Sequence, residues 1–103
     1  MEFDWDKENI RHLARHDVSP AEAEQVLQNR PVDLGTELRN GEERIAQVGE
    51  TDAGRLLIAV STMRGKKIRI ITTWPAKERL RLYFQTQKRN GNVGRVEEQD
   101  LQE

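Results

Sequence analysis

The 103-residue sequence contains no cysteine. Disulfides and thiolate metal sites are therefore excluded, and the composition fits a reducing compartment such as the cytoplasm. No stretch approaches the roughly 20 apolar residues that a membrane-spanning helix needs. The opening residues, MEFDWDKENI, are acidic and carry no apolar run. We therefore expect neither a membrane span nor a signal peptide.

Hydrophobic residues are also scarce, at 35% of the chain against 34% charged residues. A chain of this length is expected to form one domain with a single modest core. Two arrangements fit such a composition. The domain either stands alone, as most small domains do, or completes part of its apolar surface against a partner.

Negative charge is nearly absent from one long segment. Residues 55–89 hold ten of the seventeen Lys and Arg residues and a single acid, a formal charge of +9. The segments 1–30, 31–54 and 90–103 carry −3, −4 and −3, which leaves a total of only −1. A concentrated positive field attracts phosphate or an acidic partner. The pattern predicts a polyanion-binding domain, with RNA as the favoured ligand.

The first third of the chain has helical signals. Residues 2–5 could form a short strand, and residues 6–16 are predicted to form a helix. Ser19, Pro20 and Glu22 have the spacing of a capping box with proline at the first helical position. A second helix is therefore expected to begin there and to end near residues 30–31.

From residue 32 the apolar residues alternate with a period of two, which is typical of strands. Asn40-Gly41 is a strong two-residue hairpin signal, and Trp74-Pro75 is expected to end the last strand. We predict strands at 32–39, 43–50, 55–63 and 66–73, followed by a helix over 75–88. Two helices, a four-stranded antiparallel meander and a terminal helix make an α+β domain.

These pieces resemble a known family. The segments WDKENIRHLARHDVSPAEAEQVL at 5–27, EERIAQVGETDAGRLLIAV at 42–60 and RGKKIRIIT at 64–72 are similar in order and spacing to the BrnT family of type II toxin–antitoxin ribonuclease toxins, which have a RelE-like fold. The resemblance implies one BrnT-like domain over residues 1–89. Residues 90–103 are polar and rich in Gly and Asn, and we expect a disordered tail that folding does not require.

The resemblance also implies a function. It implies a bacterial, cytoplasmic ribonuclease toxin held inactive by a ribbon–helix–helix antitoxin, with operator DNA bound only through that antitoxin. One position departs from the family pattern, because Trp74 stands where an arginine is common, and restoring it by Trp74→Arg is expected to raise activity. The alternative is a non-catalytic member whose basic face binds RNA or an acidic protein.

Metal-independent RNA cleavage needs a proton acceptor, a proton donor and cations for the charge that develops on the phosphate. The candidate catalytic residues, in which Arg69 is expected to matter more than either histidine, are Arg69, His16, Glu43, Lys77 and Arg79. The candidate RNA-binding residues are Arg44, Arg55, Arg64, Trp74 and Tyr83. His12 and His16 could share a metal ion, but no third ligand is suitably spaced, so we expect no metal and no other cofactor.

Several of these residues have a structural alternative. His16 shares a helix face with Leu13 and could pack in the core. Arg55 and Arg64 flank turns, where solvated arginines are common, and Trp74 could pack at the entry of the last helix. Along the fourth strand, Lys67, Arg69, Ile71 and Thr73 are expected to share one face, with Ile68 and Ile70 in the core.

Overall fold

The computed structural model describes residues 1–90, and the tail predicted over residues 90–103 lies outside the described residues except for Asn90. The four strands form one antiparallel sheet in the order β1-β2-β3-β4. This confirms the predicted α+β fold. The elements are α1 (Lys7–Ala14), α2 (Pro20–Gln28), β1 (Val32–Arg39), β2 (Glu42–Glu50), β3 (Leu56–Arg64), β4 (Lys67–Pro75) and α3 (Glu78–Asn90).

Both N-terminal helices are fixed by side-chain caps. Asp6 accepts hydrogen bonds from the backbone N–H groups of Glu8 and Asn9 at the start of α1. Ser19 and Glu22 form the predicted capping box at the start of α2. α1 ends at Ala14, before the predicted limit at residue 16, and the chain turns sharply at Asp17, which has a φ of 57°.

The β1–β2 hairpin turns at Asn40-Gly41, as predicted. Both residues have positive φ angles, 53° and 79°. These angles suit the tight hairpin turns whose twist matches that of the flanking strands. The turn sets the register in which Arg39 pairs with Glu42.

The central strand β3 is buried on both faces and separates two hydrophobic clusters. Leu57 and Ala59 pack on one side against α1 and α2, together with Leu13, Val26 and Ile70. Leu56 and Ile58 pack on the other side against α3. That second cluster contains Val48, Trp74, Leu80 and Phe84.

β4 is longer than the sequence predicts. Trp74 pairs with Ile58 and Pro75 pairs with Leu57, so the strand continues through Trp74-Pro75 instead of ending before it. The following helix begins at Glu78, three residues later than predicted. Proline is tolerated here because β4 is at the edge of the sheet, where a missing N–H costs no strand pairing.

β4 contains a bulge at Ile71. The pairing shifts between Ser61↔Ile70 and Val60↔Thr72, which leaves Ile71 without a partner in β3. The prediction that Thr73 shares a face with Arg69 is wrong for this reason. Thr73 is paired with Ala59 of the first cluster, and Arg69 and Trp74 now lie on the same face of the sheet.

The predicted strand at residues 2–5 is reduced to a single bridge along the edge of β4. Phe3 bridges Ile68, with hydrogen bonds from Asp4 N–H to the Ile68 carbonyl and from Ile68 N–H to the Glu2 carbonyl.

Within residues 1–90, none of the helices has the length and apolar character required to span a membrane.

Candidate active-site cleft

A polar cleft opens on the face of the sheet that α3 covers only in part. Its volume is about 300 Å³. Arginines from three different strands enter it, and the first turns of α1 form its opposite wall. The lining residues are Asp4, Asp6, Glu8, Asn9, His12, Arg44, Arg64, Arg69 and Ile71.

Arg69 lies at the base of the cleft and is only 8% exposed. Its two terminal nitrogens contact the two carboxylate oxygens of Asp6 at 3.0 and 3.2 Å, and Asp4 lies 3.7 Å away. A buried guanidinium requires such pairing because an unpaired buried charge is costly. The hydrogen bond from Arg69, followed by that from the Asn9 backbone, holds the pKa of Asp6 below its usual value.

Asn9 holds this wall of the cleft together. Its side chain is 2% exposed and makes three hydrogen bonds. The amide donates to the carbonyls of Asp4 and Ile70 at 2.9 and 3.1 Å, and the amide oxygen accepts from the Asp6 N–H at 2.8 Å. Asn9 therefore joins the N-terminal segment, α1 and the bulged part of β4 around Arg69.

Glu42 connects the other two arginines. One carboxylate oxygen lies 3.1 Å from Nε of Arg44, and the other lies 3.2 Å from a terminal nitrogen of Arg64. Partial burial would by itself raise the pKa of Glu42. The hydrogen bond from Arg44 and the charges of both arginines outweigh that effect and lower the pKa.

His12 is the histidine that lines the cleft. Its ring stacks on that of His16, one turn further along the chain, with ring centroids 6.3 Å apart and an interplanar angle of 26°. His16 is not among the lining residues. The functional role expected for His16 stays a prediction, while this cleft brings His12 beside the arginines.

A comparison with known protein families identifies the family of this chain. Residues 5–79 match the family described as "Ribonuclease toxin, BrnT, of type II toxin-antitoxin system". The chain belongs to the BrnT family. The match contains every cleft-lining residue except Asp4. No curated protein matches the sequence.

In this BrnT-family chain, three of the ten predicted site residues meet in the cleft: Arg44, Arg64 and Arg69. Glu43 does not join them, although it neighbours Glu42. Its exposed side chain borders a separate, largely apolar groove of about 660 Å³ on the opposite face of the sheet. Alternation along β2 explains the difference, since adjacent residues of a strand point to opposite faces.

Lys77 and Arg79 lie away from the cleft. Both are exposed beside the start of α3, which follows the end of β4, whereas Arg69 is near the beginning of that strand. Although both belong to the basic segment 55–89, neither is among the residues that line the cleft. The cationic part of the cleft comes from the strands alone.

Arg55 has a structural role. It donates to the Asp17 carbonyl at 2.7 Å and to the His16 carbonyl at 3.3 Å, and it forms an ion pair with Glu22 at 3.2 Å. The residue fastens the turn between α1 and α2 to the beginning of β3.

The two aromatic candidates pack instead of facing the cleft. Trp74 is 6% exposed and belongs to the cluster beneath α3, and Tyr83 is half-buried against the same cluster. The packing alternative for Trp74 is thus the observed one. Neither ring is placed to stack on a base in the cleft.

Six lining residues were not among the site residues selected from the sequence: Asp6, Asn9, Asp4, Glu8, His12 and Ile71. Glu42, which pairs with Arg44 and Arg64 but does not line the cleft, was not selected either. A signal existed for Asp6 and Asn9, because they have the spacing of a capping pair and both belong to the stretch that resembles the family. Within residues 1–90, no group of three or more His, Cys, Asp or Glu side chains is arranged to hold a metal ion.

Proposed function

We propose that this BrnT-family toxin cleaves single-stranded RNA in the cleft between α1 and the sheet, using protein side chains and no metal ion. The observation that carries the proposal is the convergence of Arg44, Arg64 and Arg69 with His12 in one cleft. A phosphodiester requires cations as its transition state gains charge, and a histidine is the side chain most often used to move the proton.

The proposed reaction is an internal transfer within the RNA. The 2′-hydroxyl oxygen attacks the adjacent phosphorus while its proton passes to His12. The bond from phosphorus to the 5′-oxygen breaks, and that oxygen takes up a proton. The products are a 2′,3′-cyclic phosphate and a 5′-hydroxyl, so no water or metal-bound hydroxide enters this step.

The cleft offers His12 and the carboxylates of Asp4, Asp6 and Glu8 as possible proton acceptors, and we assign the role to the imidazole because histidine is the side chain most often used for such a transfer. Asp6 already accepts hydrogen bonds from Arg69 and from the start of α1. Its lowered pKa makes it a weak base. His12 therefore takes the role that the sequence analysis gave to His16 or Glu43.

For the partner, we propose an antitoxin of the ribbon–helix–helix class that neutralises the toxin and carries the complex to operator DNA. Membership of a type II toxin–antitoxin family supports an antitoxin partner. The ribbon–helix–helix class of the antitoxin and its binding to operator DNA are implied by the resemblance to that family, which the segments 5–27, 42–60 and 64–72 carry. Co-purification with the product of an adjacent reading frame tests this part.

Cleavage is tested with purified protein, a single-stranded RNA and EDTA. We expect fragments with 2′,3′-cyclic phosphate and 5′-hydroxyl ends. Arg69→Lys should lower the rate by roughly 100-fold, because lysine cannot reproduce the two-pronged contact with Asp6 that fixes a cation at the base of the cleft. The matched control is Arg89→Lys, the same substitution at an exposed position near the end of α3, which should cleave like the wild type.

The same assay separates the proposal from its alternative. Folded wild-type protein that binds RNA, leaves it intact and does not arrest growth would be a binding module, and the ribonuclease proposal would fail. Fragments ending in 5′-phosphate would contradict the internal-transfer mechanism but would still show that the protein is a ribonuclease.

A further inference from the structure

The arginines of the cleft differ in how much negative charge they already contact. Arg69 is held by two carboxylates, those of Asp6 and Asp4. Arg44 and Arg64 share the single carboxylate of Glu42. The Arg44–Arg64 end of the cleft therefore has an excess of one positive charge, and it is the end where an anionic phosphate is best accommodated.

The atoms used by Glu42 leave much of both guanidinium groups accessible to a ligand. Glu42 contacts Arg44 through Nε, and it contacts Arg64 through Nε and one terminal nitrogen, at 3.3 and 3.2 Å. A guanidinium carries five N–H donors in a rigid plane. The carboxylate thus restrains one edge of each group while further donors remain for phosphate oxygens.

We infer that Glu42 is a positioning residue that holds Arg44 and Arg64 as a two-arginine clamp for an RNA phosphate. The inference rests on the proposed function and names the phosphate-binding end of the same cleft. Arginine side chains lose considerable rotamer freedom when they are immobilised. By restraining both before RNA arrives, Glu42 reduces the entropy that binding must otherwise remove.

Simple electrostatics predicts the opposite effect of removing this carboxylate. An acid beside a phosphate site repels the ligand, so neutralising it should strengthen binding if charge alone mattered. If Glu42 positions the clamp, neutralising it should weaken binding. The two explanations therefore predict changes of opposite sign in the affinity for RNA.

The test compares Glu42→Gln with Glu43→Gln. The substitutions remove the same charge from adjacent residues that both border the groove on the other face of the sheet, but within residues 1–90 only Glu42 of the two pairs with Arg44 and Arg64. The probe is a 2′-O-methyl oligoribonucleotide, which lacks the nucleophile and cannot be cleaved. We expect Glu42→Gln to bind the probe roughly tenfold more weakly than wild type and to raise the KM for cleavable RNA, since two side chains lose their restraint. Glu43→Gln should bind equally or slightly more tightly.

A second set of variants checks the mechanism. Glu42→Asp keeps the charge on a shorter side chain that cannot contact both arginines as Glu42 does, and its affinity should fall between those of wild type and Glu42→Gln. In an Arg64→Lys background, Glu42→Gln should have a much smaller effect, because coupled residues are not additive. The Nε–H NMR signal of Arg44 should shift in Glu42→Gln without RNA.

The possible results are distinct. If Glu42→Gln is folded and binds the probe as well as Glu43→Gln or better, the positioning role is wrong and the proposed function stands. If Glu42→Gln does not fold, the Glu42→Asp variant decides by the same comparison with Glu43→Gln. If wild type neither binds the probe nor cleaves RNA, the proposed function itself fails, and the clamp fails with it.

Discussion

At the scale of single residues, Trp74 is held where an arginine could not be accommodated. Its side chain packs in the cluster formed by Ile58, Leu80 and Phe84 beneath α3. The family-based expectation that Trp74→Arg would raise activity assumed a side chain at the mouth of the site. Burial changes that expectation, because an arginine here would leave a cavity and an unpaired charge.

We therefore predict that Trp74→Arg lowers the free energy of unfolding by at least roughly 3–5 kcal/mol, the range for removing a large buried aromatic side chain. The matched control is Leu82→Arg, which adds the same charge to α3 at a position 70% exposed. That variant should change stability by less than about 0.5 kcal/mol. Urea denaturation of both variants measures the difference. A Trp74→Arg protein as stable as wild type would show that the ring is not part of the core.

Residue type was easier to predict from the sequence than residue position. Arg44, Arg64 and Arg69 were selected because charged residues on or beside strands are good candidates for a polyanion site, and the three line one cleft. His16 and Glu43 were selected, whereas His12 lines the cleft and Glu42 pairs with two of its arginines. Choosing between such neighbours requires knowing which sheet face remains open, and that depends on where α3 packs.

At the scale of elements, Asp6 connects α1 to β4, since it caps the helix and pairs with Arg69. The hydrogen bond from Arg69 contributes most to its lowered pKa. A folded-state pKa below the unfolded value means that the carboxylate stabilises the fold at higher pH. This contribution is lost as the pH falls from near 3.8, the usual value, through the folded-state pKa.

Asp6→Asn should therefore be less stable than wild type at neutral pH, with a difference that shrinks as the pH falls below about 4. Asparagine is also a good N-cap, so the substitution removes mainly the ion pair with Arg69. Urea denaturation at a series of pH values measures the difference. A gap that stays constant from pH 7 to pH 3 would rule out the ion pair as its source.

Most elements could be predicted from local signals, namely the capping box at Ser19, the Asn40-Gly41 turn and the alternation of the strands. The end of β4 and its bulge could not. Pro75 is a common helix-starting residue, and only its pairing with Leu57 places it in the strand. Ile71 is a favourable strand residue, so nothing in the local sequence marks it as the bulge.

At the scale of the whole molecule, the basic segment 55–89 is partly neutralised by the rest of the chain. Arg55 pairs with Glu22, Arg64 with Glu42, Arg69 with Asp6 and Arg81 with Glu50. These four acidic partners come from residues 1–54, and Arg81 also pairs with Glu78 inside the segment. The polarised charge seen in the sequence therefore serves partly to join the two halves of the domain.

The number of cleft arginines that contact phosphate determines how strongly the affinity for RNA depends on salt. Two or three phosphate contacts at the cleft arginines predict a slope of roughly −1.4 to −2 when the logarithm of the association constant for single-stranded RNA is plotted against that of the salt concentration. Fluorescence anisotropy between 50 and 300 mM salt, values chosen to span roughly the physiological range, measures it. A slope near zero would remove the electrostatic basis of binding. A slope of about −5 would mean that the whole basic segment contacts RNA.

The wide separation in sequence of the cleft residues has a consequence for the order in which the toxin is made. Asn9 and Ile70, which join its two sides, are 61 positions apart. A growing chain on the ribosome contains Asp6 and His12 early but has no Arg69 until most of the domain has been translated. The full set of cleft residues is thus absent from every shorter nascent chain. A cell making this toxin therefore holds no assembled cleft until synthesis of the domain is nearly finished.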